Sequence, residues 1–516
     1  MTGGIAPGAI AQDPDERRRG ALLGAAALGA LSLAGFIAQG GSLLLAAVPF
    51  LLTAAAVAVW RAPLRRIMLG LLVLALFLDS PSARPAGGVW QSPLYPLGRL
   101  FFDNLNNTLP VSALRFAGVE ALLVLVLALV ALRRFLGLRI DRAHRRPEDR
   151  LLDPWLLAAL GAVVWLEVWG IARGGNFKQS LWQFRELLWL PILAWLFTRA
   201  LKDVRDFLPV AWALIAAAAY KTAVGLYFLL RVVPGLARTP AYVMTHDDTV
   251  LLVVALAILL AAAWLMPTRG HVLLASVAVP WLMLGLVIND RRIAFVSLAG
   301  ALLVTYSMLR GRAKRAIAGL GVALLPVFVA YLVVGANRSG GIWGPAAKVM
   351  SVITQKDASS GTRDIENYNL ITTLRYKGLL LGSGWGHEYV ELSRAYDISN
   401  SFAQYRYIAH NSVLWLWSIG GLLGFTALWL IYPVAIFWAA RGYACATKAI
   451  HRVVGTVIIA AVLAHLVQAW GDMGTQAWLG TWITAVMVAM SAKLAAATGA
   501  ADRPAPPGPT PAGLAA

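Results

Sequence analysis

Apolar residues in this chain come in runs of about 17–22, unlike the alternating or one-faced patterns of soluble strands and helices. Runs of that length suit the roughly 30 Å hydrocarbon layer of a bilayer at 1.5 Å per helical residue. They predict an all-α, polytopic membrane protein of about 12–14 spanning helices. Fourteen can be drawn, centred near residues 30, 51, 72, 125, 163, 191, 218, 258, 280, 301, 325, 425, 461 and 487. Two of these are weak: Pro191 interrupts one, and Asp79 ends the run near residue 72 early. Basic hinges separate the runs at 17–19, 61–66, 133–150, 199–206, 268–271, 310–315 and 441–452, with 24 Lys and Arg among them. Threading the runs in order brings all seven hinges to one side, which the positive-inside rule makes cytoplasmic. An even count places both termini there, and the longer, more neutral loops 79–112, 231–248 and 335–410 fall outside. The expected organisation is a cytoplasmic segment over 1–20, spans over 21–334, an extracytoplasmic loop over 335–410, further spans over 411–497 and a disordered, Pro-rich cytoplasmic tail over 498–516.

Composition narrows the class. The chain is 59% hydrophobic and 14% charged, against about 45–50% and about 25% in soluble domains, so an ordinary soluble enzyme is excluded. A net charge of +20 would suggest nucleic acid if the cations formed a patch. They sit at the ends of apolar runs instead, so the partner they imply is the bilayer and no nucleic acid is expected. The single cysteine, Cys445, supports neither an internal disulfide nor structural zinc, and no cofactor or metal is called for. No fixed-period repeat and no paired interrupted helices of the inverted-repeat carriers are visible.

Chemistry-bearing residues gather around the loop from Gly335 to His410, which is too small and too poor in apolar runs for a free-standing domain and is expected to lie over the bundle as a lid. Within it, Thr362 is expected to cap a helix that starts at Arg363 and runs to about Lys377. On that helix Arg363, Glu366, Asn367, Leu370 and Leu374 share one face. Asn289-Asp290-Arg291-Arg292 sits between two spans at their outer ends, where topology does not ask for arginine; paired guanidinium donors there suit a diphosphate. The competing account is snorkelling, or pairing with Asp290. His410-Asn411 stands where the loop re-enters the bilayer, a position suited to a general base or a phosphate partner. The glycines of Leu381-Gly382-Ser383-Gly384-Trp385-Gly386 suit a tight turn or close backbone approach to a ligand, not a dinucleotide site. His246-Asp247-Asp248 reads as a solvated loop.

Taken in order, Arg292 at a span start, Thr362-Arg363-Asp364, the Leu379–Gly386 phrase and His410-Asn411 before a Gly-rich helix resemble the O-antigen ligase and polymerase superfamily of bacterial membrane glycosyltransferases, over about residues 275–430. The resemblance implies a C-type glycosyltransferase fold in the bacterial inner membrane. It also implies transfer of a glycan from an undecaprenyl-diphosphate-linked donor to a saccharide or glycolipid acceptor outside the cytoplasm, without nucleotide sugar or metal. It makes Arg292, Arg363 and His410 catalytic, with Arg291 a rival for the first role. The polar positions around them, Arg291, Glu366, Asn367, Arg375 and Asn411, are expected to bind substrate. A polyprenyl-saccharide flippase would use the same basic cavity without catalysis, but the reactive residues all lie on one side.

Overall fold

The computed structural model describes residues 60–79, 90–107, 115–137, 150–237, 242–338, 341–354, 358–394 and 404–502, with single positions elsewhere. The expected spans near 30 and 51 and most of the tail after Asp502 lie outside the described residues. The chain divides into two compact units, residues 1–63 with 129–140, and residues 64–128 with 141–516. In the first, the Arg133 guanidinium donates to the carbonyls of Trp60 (2.5 Å) and Ala62 (2.8 Å).

Helices α1 (Leu64–Phe77), α2 (Tyr95–Phe102), α3 (Gly118–Phe135), α4 (Asp153–Ala172), α5 (Phe177–Ala200), α6 (Phe207–Tyr227), α7 (His246–Leu265) and α8 (Arg269–Asn289) are followed by α9 (Arg292–Met308), α10 (Gly311–Gly335), α11 (Gly344–Thr354) and α12 (Ala358–Lys377). Then come α13 (Ser412–Trp429), α14 (Ile431–Cys445), α15 (Ala449–Gly471) and α16 (Trp478–Thr498). There is no strand among the described residues, only an isolated bridge between Asn104 and Ala117. The protein is therefore a polytopic all-α membrane protein. Eight described helical stretches are long and apolar enough to cross a membrane. Those expected near 72, 125, 191 and 301 are helices too, but shorter or more polar.

The core is built around α16 and α15. Small residues let neighbouring helices approach α16 closely, and its Thr481 and Thr498 hydroxyls bond back to the carbonyls of Ala477 and Leu494. Helices α5, α14 and α15 close around it. At one end of the bundle lie basic hinges and their carboxylate partners, Arg65 with Asp206 and Arg199 with Asp153, each at 2.7 Å. The opposite end gathers the starts of α5, α7, α9 and α13 and the ends of α4, α8 and α15.

Three local expectations change. Helix α5 runs through Pro191: the lost hydrogen bond is outweighed by burial of Leu190, Leu193 and Ala194 on both sides. Helix α12 begins at Ala358, so Thr362 sits inside it and does not cap it; the small residues Ala358–Gly361 accept a helical backbone and add a first turn. The span near 425 is two helices, and α13 is itself broken at Gly421, whose φ of 56° and ψ of −164° are not helical.

Candidate active site

The break in α13 is filled by the Leu379–Gly386 segment. Leu422 and Leu423 donate backbone hydrogen bonds to the carbonyls of Leu379 (2.8 Å) and Leu380 (3.1 Å). In return Ser383 and Gly384 donate to those of Ser418 (3.2 Å) and Ile419 (2.9 Å). Trp385 is fully buried, its indole donating to the Val163 carbonyl of α4 at 3.1 Å. Gly384 has φ 78°, and a Cβ there would stand 2.5 Å from Gly170. These glycines thus serve close approach to α4 and α13, not to a ligand. Gln183 of α5 secures the far side: its amide donates to the carbonyls of His387 (3.2 Å) and Tyr407 (2.6 Å), and its side-chain oxygen accepts from Gly386 N–H.

The chain emerging from this joint delivers His410 and Asn411 to the start of α13. Asn411 caps that helix by accepting from Leu414 N–H (3.1 Å) and donates to the Asn367 side-chain oxygen (3.1 Å). One helical position earlier on α12, Glu366 is buried and accepts from the His410 backbone N–H at 3.0 Å. Its two oxygens lie 3.2 and 3.3 Å from His410 Nδ1. A carboxylate can only accept, so Nδ1 carries a proton, and in the neutral imidazole Nε2 keeps its lone pair. Burial opposes the charged imidazole, but the bond to Glu366 and the charges of Glu366 and Asp472 outweigh it, and the His410 pKa is raised; Arg363 pulls the other way.

Asp472, just past the end of α15, is the centre of the charge network. Met473 takes a left-handed turn (φ 43°), and its N–H donates to the His410 carbonyl at 2.7 Å, tying the two segments together. The Asp472 carboxylate lies 3.5 Å from the Arg291 guanidinium and 4.0 Å from His246 Nδ1. Burial works to raise its pKa, but His246, Arg363, Arg291 and His410 overcome that and lower it. Arg291 is also stacked on Tyr242, 4.1 Å from the ring centroid, and its Nε is buried without a protein partner among the described residues.

The structure therefore brings together Arg291, Arg363, Glu366, Asn367, His410 and Asn411. Arg292 opens α9 half-buried beside them, while it is Arg291 that reaches Asp472. Arg375 does not join them: it is exposed near the end of α12, about 18 Å from Arg363 along the helix at 1.5 Å per residue. The account of Arg291 as a partner of Asp290 also fails, because Asp290 binds Lys348 at 2.9 Å.

Sequence reasoning missed Asp472 and His246. The signal for Asp472 was a carboxylate in the tight turn Gly471-Asp472-Met473-Gly474, at the same end of the bundle as the arginines. His246-Asp247-Asp248 is not a solvated loop. Asp248 forms a reciprocal cap with Thr245, and its carboxylate lies 2.9 Å from the buried Lys221 ammonium. Asn289 then pins the preceding strand of chain, bonding to Met244 N–H (3.1 Å) and to the Thr245 carbonyl (3.1 Å). Each carboxylate of the run has a partner that composition does not reveal, His246 for Asp247 and Lys221 for Asp248. Among the described residues no three His, Cys, Asp or Glu side chains group as a metal site.

No curated protein matches the chain. Residues 281–430 match the family model described as O-antigen ligase. That stretch holds Arg291, Arg363, Glu366, His410 and Asn411. It covers much of the network just described, and it bears out the resemblance read from the motifs. Over residues 281–430 the chain is thus similar to the O-antigen ligase superfamily of glycosyltransferase-like membrane enzymes.

Proposed function

We propose that this protein transfers a glycan from undecaprenyl diphosphate to a saccharide hydroxyl on the extracytoplasmic face of the bacterial inner membrane. The observation that carries this reading is His410 held by Glu366 beside Arg291 and Arg363 around one carboxylate. Arg291 and Arg363 take the diphosphate, whose charge grows as the anomeric C–O bond breaks; preorganised guanidinium groups stabilise that charge without reorganising. The acceptor oxygen bonds to the anomeric carbon and its proton passes to His410 Nε2. Glu366 fixes the tautomer and balances the imidazolium. Asp472 holds Arg291 in place and keeps the cationic cluster tolerable before donor binds. The basic hinges at the opposite end of the bundle support an extracytoplasmic site by the positive-inside rule.

The test is purified, reconstituted protein given the lipid-linked donor and an acceptor saccharide, with EDTA in excess. A glycosidic product is expected, because the donor is already activated. Movement of donor across the bilayer with no joined product would overturn the reading in favour of a flippase.

A further inference from the structure

A cavity lies away from the charge network, between α3 and α5. Glu120, near the start of α3, accepts from the Arg185 guanidinium (2.6 Å to Nε, and from NH2), from the Trp189 indole (3.1 Å) and from Ala117 N–H (2.7 Å). This buried clamp ties the two helices at the end of the bundle that carries the site. The helices enclose about 1020 Å³, with walls that include Val124 and Leu125 of α3 and Leu181, Trp182 and Leu188 of α5. That volume is at the top of the range for small-molecule sites, roughly 300–1,000 Å³.

At the rim stand Arg115 and Lys178, both exposed. Neither has a carboxylate partner among the described residues, while Glu120 neutralises Arg185, and nearby Asp103 is 3.9 Å from Arg99 and accepts from Asn107. What remains is a pair of cations over an apolar slot, the charge and polarity profile of a phosphate-bearing lipid with its head at the rim and its chains below. Groove-lining residues of α5 follow one helical stripe, whereas Gln183 leaves the opposite face to hold His387 and Tyr407. The groove and the Arg291–His410 network are thus on two sides of α5, so a diphosphate reacting at His410 does not occupy this rim.

We infer that the groove between α3 and α5 seats the phosphate-bearing lipid anchor of the acceptor. This rests on the transferase reading, in which two substrates must be held at once and the donor's diphosphate is already accounted for. The full chain in nanodiscs should be exposed to diazirine-bearing phosphatidic acid or to its phosphatidylcholine counterpart, with cross-linked peptides mapped. Phosphatidic acid should label α3 and α5 in preference. The Arg115→Gln, Lys178→Gln double variant should weaken that labelling about tenfold, the loss of roughly one charge-assisted contact. Equal labelling by both probes would mean ordinary surrounding lipid and overturn the seat. Displacement of the label by undecaprenyl diphosphate would give the groove to the donor and overturn the acceptor assignment. In the transfer assay the same variant should raise the KM for a lipid-linked acceptor and not that for donor; the reverse would also overturn it. Selective labelling in a chain that transfers nothing would sink the transferase reading while upholding the phosphate-lipid seat, so the two can fail separately.

Discussion

At the residue scale the decisive pair is His410 and Glu366. A general base works as neutral imidazole, so a pKa raised by Glu366 and Asp472 moves the rising limb of the pH–rate profile above the ordinary histidine value of about 6.5. Glu366→Gln should shift that limb to lower pH and reduce turnover, and a pH–rate profile of the reconstituted enzyme reads both. His410→Ala should lower turnover by about 10²–10⁴. Stability runs the other way: a histidine whose folded pKa exceeds its unfolded one stabilises fully below about pH 6.5 and loses that contribution as pH rises through the folded value. The difference in melting temperature between the wild type and His410→Ala should therefore narrow as pH rises into the alkaline range. Among the arginines, Arg291→Lys keeps charge but loses the fork, and transfer should drop at least about tenfold, or roughly 1.4 kcal/mol of barrier. Arg292→Lys should cost less; equal losses would return the role to both. The arginines and the histidine were legible because each occupies a place where topology does not require it. Asp472 was not, because a lone acid in a short turn looks like solvent-facing punctuation until the ends of α8, α15 and the start of α13 converge on it.

At the scale of elements, spans were readable from run length, and what ends or breaks them was less so. The face of α12 that buries Glu366, Leu370 and Leu374 was visible from helical spacing. Its true start was not, since Ala358–Gly361 carry no strong signal either way. The break at Gly421 depends on a segment some forty residues earlier, and no local pattern announces it. A side chain at Gly421 has no room: its Cβ would lie 2.5 Å from Gly382 N and from Leu380 C, in a left-handed backbone. Gly421→Ala should cost about 1–3 kcal/mol from backbone strain alone, with the clash added, and a lowered melting temperature in detergent would register it. Buried Lys221, set between Asp79 (3.1 Å) and Asp248 (2.9 Å), joins α6 to α7 and to the end of α1. Lys221→Met leaves two carboxylates without their cation. The loss should be about 3–5 kcal/mol and should appear as poor folding yield; an unchanged melt would show that the carboxylates re-pair.

For the whole molecule, threading apolar runs against basic hinges anticipates two distinct ends, and helix packing brings Arg65, Arg199 and Arg441 to one and His410 to the other. Sidedness can be measured. With Cys445 replaced by Ser, a cysteine at exposed Leu392 should react with an impermeant maleimide in cells stripped of any outer barrier, and one at exposed Arg312 should not. The reverse pattern would place the site in the cytoplasm and overturn the proposed sidedness. The groove between α3 and α5 was beyond sequence reasoning, because an apolar wall facing a slot and one facing bulk lipid are written in the same residues.

The joint between the Leu379–Gly386 segment and the broken helix bears on modular engineering. The end of the 335–410 loop looks in the sequence like an insert open to exchange between enzymes to change substrate. Main-chain hydrogen bonds to α4 and α13 make its Leu379–Gly386 segment half of a mortise whose other half is Gly170 and Gly421. Transplanted alone into another bundle it would find an unbroken helix, with Trp385 left without its socket. A chimera must carry the outer ends of both helices with the loop.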